Sequence, residues 1–94
     1  MIEWARQAIR QLDQAYGYIA LSNSENVSRQ VTSQIIKSIE RLAAFPMLGR
    51  LGRVPGAREA VIPETLFIAA YTLQTNRIVI LAIYHGAQKW PDAF

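Results

Sequence analysis

The feature that most constrains this chain is a change of period. Apolar side chains recur every three or four positions over residues 5–43, and β-branched and aromatic side chains crowd short runs over 58–84. Between them, residues 46–57 hold three glycines, two prolines and two arginines. Glycine supplies nothing to pack, and proline fixes φ and lacks an N–H, so this stretch reads as an ordered loop rather than a regular element. Helices should therefore precede it and strands follow it, which defines an α+β chain with its helices on one face of a sheet.

The elements can be placed within that frame. Ile2 and Trp4 alternate as in a short first strand. Ala5, Ala8, Ile9, Leu12, Ala15, Tyr16 and Ile19 form one stripe, with Arg6, Arg10, Asp13 and Gln14 opposite, which predicts an amphipathic helix ending near Ser22. Ser22 and Glu25 stand at capping-box spacing and Ser24 is a nearer N-cap for a second helix. Its stripe is Val27, Val31, Ile35, Ile39, Leu42 and Ala43, and Phe45-Pro46 closes it, because a residue before proline is pushed out of the helical region. So short a connection makes an antiparallel hairpin. Strands are expected over 58–62, 66–73 and 77–84, with turns at 63–65 and 74–76. The architecture predicted is an N-terminal strand and an antiparallel helical hairpin packed on a small antiparallel β-sheet. Its second face should be partly open, rimmed by Arg50, Arg53, Arg58, Arg77 and Lys89.

At 94 residues, with 51% hydrophobic and 18% charged side chains, the chain should fold as a single domain spanning 1–94. Cysteine is absent, which excludes disulfide scaffolds, thiol catalysis and Cys-ligated metals. No apolar run approaches the ~20 residues that cross a bilayer, and no signal-peptide core is evident; a cytoplasmic location without membrane contact is expected. The net charge is +3 and eight of the ten cations are arginine, whose planar fork pairs with phosphate or carboxylate.

Arg50, Arg53 and Arg58 bring three guanidinium groups into nine residues beside glycines, an arrangement suited to clamping phosphate or acidic side chains. Arg58 is the strongest of the three, since a strand start fixes its direction. Glu59 must then point to the opposite face, which gives it a structural role. His85 is the only histidine and the natural first choice for acid–base work near neutral pH. Tyr71 and Tyr84 offer hydroxyls or stacking surfaces, and Trp90 and Phe94 are packing or interface anchors. Phosphate loops, nucleophile elbows and metal-ligand spacings are missing, so no cofactor or metal is called for and a familiar autonomous hydrolase is disfavoured.

Taken in order, these residues resemble the RelE/ParE superfamily, the toxins of type II toxin–antitoxin modules. The likeness rests on Ile2-Glu3-Trp4, the hairpin ending in Phe45-Pro46, Gly49-Arg50, Gly52-Arg53-Val54-Pro55-Gly56-Ala57-Arg58-Glu59, the strand with Tyr71, and Leu81 to Ile83 leading into His85 and Trp90-Pro91. The resemblance implies a growth-inhibiting toxin of an addiction or plasmid-stabilisation module, neutralised by a cognate antitoxin in a hetero-oligomer. Trp90 and Phe94 would hold the antitoxin. RelE-like members cleave mRNA on the ribosome, and for them Arg58 and His85 would be catalytic. ParE-like members inhibit DNA gyrase and are not nucleases; for them Arg50, Arg53, Arg58 and Lys89 would meet the target. Only two lysines and no C-terminal tyrosine depart from the RelE-like pattern, and the Pro-Gly-x-Arg-Glu and His…Trp-Pro pattern looks closer to the ParE-like branch. The mRNA endonuclease stays open as an alternative, as does a non-toxic module that acts only with the antitoxin in operon autoregulation.

Overall fold

The structure, a computed structural model, describes residues 1–86. Seven elements follow one another: β1 (Ile2–Trp4), α1 (Arg6–Ser22), α2 (Glu25–Arg41), β2 (Arg50–Leu51), β3 (Arg58–Val61), β4 (Phe67–Gln74) and β5 (Arg77–His85). The predicted α+β architecture, a helical hairpin on one sheet face, is the one observed.

Ser24 caps α2, its hydroxyl accepting from the Val27 N–H at 3.0 Å. One turn further on, fully buried Ser28 donates from Oγ to the Tyr16 carbonyl at 2.6 Å and pins the two helices where they cross. The second helix stops at Arg41, short of the expected end at Phe45. Leu42, Ala43 and Ala44 continue as a tighter turn, each N–H reaching back three residues, because Pro46 forbids a helical Phe45 and the winding tightens ahead of it.

The sheet has five strands in the order β1-β5-β4-β3-β2. It is mixed rather than antiparallel: β1 lies parallel to β5, Ile2 opposite Ile78 and Trp4 opposite Ile80. The parallel pairing is possible because the intervening hairpin and strands form the long crossover that such a pair requires. A second difference is β2, a two-residue strand inside the glycine- and proline-rich stretch, paired with β3 through Arg50–Glu59 and Leu51–Arg58. Between β4 and β5 the register shifts at Ala70/Tyr71: Ala70 faces Ala82 but Tyr71 faces Ile80, leaving Leu81 as a bulge.

The core lies between hairpin and sheet. Ala8, Ile35, Ile39 and Leu42 pack on Ala60, Ile62, Ala69, Tyr71, Ile78, Ile80 and Ile83. Each fully buried Ile or Leu contributes about 1.5–3 kcal/mol. Strand alternation puts Arg58, opposite Tyr71, on this helix side, and Glu59, Arg77 and the Arg50 partner of Glu59 on the other. Arg58 therefore does not belong to the rim of the second face; its parity with Tyr71 forces it to the core side.

Candidate functional site

At one corner of the sheet, a loop is fastened from beneath. The Tyr71 ring has no exposed surface. Its hydroxyl donates to the Pro46 carbonyl at 2.8 Å and accepts from the Gly49 N–H at 2.9 Å. Beside it, Arg58 donates from Nη1 to the Gly49 carbonyl at 2.6 Å. Both polar groups of Gly49 are thus satisfied by side chains from the sheet. Gly49 must be glycine for steric reasons: a Cβ there would sit 2.6 Å from the Tyr71 hydroxyl and 2.9 Å from the Glu59 carbonyl oxygen. Tyr71, whose hydroxyl or ring face the sequence offers to a partner, is therefore the anchor of residues 46–49. No local pattern signals this role, since its partners lie 22 and 25 residues away.

The other face of the same corner is built around a carboxylate. Glu59 is 3% exposed. Its Oε1 receives Arg50 Nη2 at 3.2 Å and Nε at 3.4 Å, and its Oε2 receives the Arg53 backbone N–H at 3.0 Å. A buried carboxylate is tolerable when both oxygens are bound in this way. Glu59 is structural, on the opposite face from Arg58, as alternation requires. It also aims Arg50 across the sheet and fixes the start of the loop at Arg53. Nearby, Thr72 Oγ1 donates to the Gly56 carbonyl at 2.9 Å and ties down the tip of that loop, where Gly56 takes a φ of 82° that suits glycine.

The three arginines therefore share a corner without forming one clamp. Arg50 lies over the second face, Arg58 under the first, and Arg53 at the turn between them.

His85 occupies the far end of the sheet. It pairs with Phe67 across β4, four positions from Tyr71 and thus ~13 Å along the strands from the level of Arg58. The two residues are also separated by the width of β4, so the structure does not bring Arg58 and His85 together. The imidazole meets the Phe67 ring edge-on, centroids 5.5 Å apart. Both line a groove of about 370 Å³ with Gln11, Gln14, Ala15, Tyr18 and Ile83. Here β5 loses its neighbour, since β1 covers it only as far as Ile80. Two glutamines one turn apart on α1 take over: Gln7 Nε2 donates to the Leu81 carbonyl at 3.2 Å and Gln11 Oε1 accepts from the Ile83 N–H at 2.8 Å. The sequence offered no reason to single out these glutamines, which look like ordinary solvent-side positions of a helix.

Arg77, at the start of β5, pairs with Glu3 at 3.2 Å. Lys89, Trp90 and Phe94 lie outside the described residues. Among the described residues, no group of three or more His, Asp or Glu is placed to hold a metal ion, and no helix is long and apolar enough to cross a membrane.

A helical hairpin laid on a sheet, with an arginine-rich latched corner, defines a small basic protein of the RelE/ParE fold. The chain belongs to the ParE toxin family of the type II toxin–antitoxin system parDE, whose family model matches residues 2–90. It is 32% identical over 91 residues to "Putative toxin Y4kP" of Sinorhizobium fredii (strain NBRC 101917 / NGR234), a match covering 97% of this chain and 93% of that protein. The fold is also that of a chain from the chromosomal ParDE TA system from P. aeruginosa, with a TM-score of 0.82, 24% identity, and coverage of 89% of this chain and 92% of that one. The likeness to ParE-like members is thereby shown.

Proposed function

We propose that this ParE-family toxin arrests growth by inhibiting DNA gyrase in the cytoplasm and is neutralised by a cognate antitoxin bound as a hetero-oligomer. The observation that carries the reading is the ParE match across nearly the whole chain. The separation of Arg58 from His85 supports it, because in-line RNA cleavage needs cations and a proton-transfer group converging on one phosphate. Arg50, Arg53 and Arg58 are the target-facing cations of this proposal, together with Lys89. The antitoxin's segment occupies the groove between α1 and the end of β5, where Phe67, Tyr18, Ile83 and Ala15 offer apolar burial and the sheet edge offers backbone partners. Trp90 and Phe94 are its proposed further anchors.

Supercoiling by purified gyrase, titrated with the toxin, tests the target directly. The expected result is loss of supercoiling, relieved by the antitoxin. Intact supercoiling together with new ribosome-dependent mRNA 5′ ends after induction would replace this reading with the mRNA endonuclease.

A further inference from the structure

The β2–β3 edge carries a second concavity of different chemistry. β2 pairs only with Arg58 and Glu59, and the Ile62 N–H donates toward β4, to the Phe67 carbonyl. Alternation therefore turns the N–H and C=O of Val61 outward, past the end of β2. Along this stretch lies a shallow groove of about 320 Å³, lined by Arg41, Leu48, Arg50, Glu59, Val61 and Pro63. Leu48 and Val61 are each 54% exposed, large apolar side chains that both line the groove. Arg41, the last residue of α2, and Arg50 supply two positive charges beside them. Among the described residues that line it, the one carboxylate, Glu59, is buried and already bound by Arg50 and the Arg53 N–H, so these residues give the groove net positive charge.

Its wall is held rigid, because Leu48 precedes the glycine that Tyr71 and Arg58 fasten. An exposed leucine on a preorganised wall costs little ordering entropy when a partner closes over it.

We infer that this edge groove is part of the target-facing surface of the toxin and takes an extended, acidic protein segment bearing a large apolar side chain. The inference rests on the toxin reading above and deepens it. The segment's carboxylates meet Arg41 and Arg50, its apolar side chain enters between Leu48 and Val61, and its backbone pairs with the outward groups of Val61. Charge complementarity selects an acidic partner. A nucleic acid is the poorer fit, since tracking a phosphate backbone calls for a longer cationic stripe and stacking aromatics, and among the described residues no aromatic side chain lines this groove.

The test uses the full chain with Leu48→Glu and Arg41→Glu, both at exposed positions, with melting temperature as the control for folding and Leu48→Ser as a milder replacement if Leu48→Glu melts early. Each variant is assayed for growth arrest on induction, for inhibition of gyrase supercoiling, for capture by co-expressed antitoxin and for retardation of labelled duplex DNA. The expected result is lost arrest and a half-inhibitory concentration raised about 30-fold, with antitoxin capture unchanged. If the natural chain arrests growth without touching gyrase and the variants lose arrest, the gyrase reading falls and the groove stands. Variants that arrest growth like the natural chain overturn the groove and leave the gyrase reading in place. A natural chain that arrests nothing overturns the groove as a target surface. Loss of antitoxin capture would hand it to the antitoxin. Duplex binding lost in Arg41→Glu but kept in Leu48→Glu would make its occupant a phosphate backbone.

Discussion

The two ends of β4 are held by different physics. At the Tyr71 end, one fully buried phenol and one half-buried guanidinium satisfy three backbone groups of a loop. At the Phe67 end, half-buried aromatic rings meet edge-on over a groove, and glutamine side chains stand in for a missing strand. The first arrangement is a fixed geometry: a buried polar group that loses its partner costs far more than the net gain of making the bond. The second is adaptable, since apolar contact is non-directional and an amide side chain can be replaced by a partner's backbone. Rigid display at one corner and pliable reception at the other suit the target and the antitoxin proposed for this molecule.

This contrast can be broken most forcibly by Tyr71→Ala. Removing the buried ring should cost about 3–5 kcal/mol in denaturant unfolding, and a loss below about 1 kcal/mol would mean the loop is not anchored there. Tyr71→Phe isolates the hydroxyl. Leaving the Gly49 N–H and the Pro46 carbonyl without this partner should cost about 1–3 kcal/mol, and hydrogen exchange at the Gly49 amide should accelerate while the β5 amides keep their protection. At the other end, His85→Ala should cost less than about 1 kcal/mol. Combined with Tyr71→Phe it should be additive within about 0.5 kcal/mol, because the sites lie ~13 Å apart along β4; a larger coupling would show that the two ends are one unit. Smallest of all is the Glu3–Arg77 pair, with side chains 48% and 44% exposed. Glu3→Gln should change stability by about 0–1 kcal/mol and less in high salt.

How much of this was legible in the sequence follows from the range of the forces involved. The hairpin, the Ser24 cap, the three consecutive strands and the facing of Glu59 away from Arg58 are set by near neighbours, so periodicity and spacing reveal them. The parallel partnership of β1 with β5 joins residues 76 positions apart and leaves no local trace. β2 escaped because its two residues sit among glycines and prolines and borrow their extended shape from β3. The arginine cluster was visible as composition, but its division between two faces depends on the register of β3, and the distance from Arg58 to His85 depends on the register of β4 with both neighbours. The Tyr71 anchor was invisible for a related reason: its partners are backbone groups, which every residue carries.

The bulge at Leu81 acts as a parity bit for the end of the chain. Counting in strict alternation from Ile80, position 84 would fall on the helix side and position 85 on the other; the one extra residue reverses that assignment and delivers His85, not Tyr84, into the groove beside Phe67. An in-frame loss of the single codon for Leu81 would therefore close the bulge and leave Ile83 and His85 on the faces they already occupy. Pairing Leu81 into a regular ladder would instead exchange an imidazole for a phenol at the mouth of the groove and send every later strand side chain to the other face.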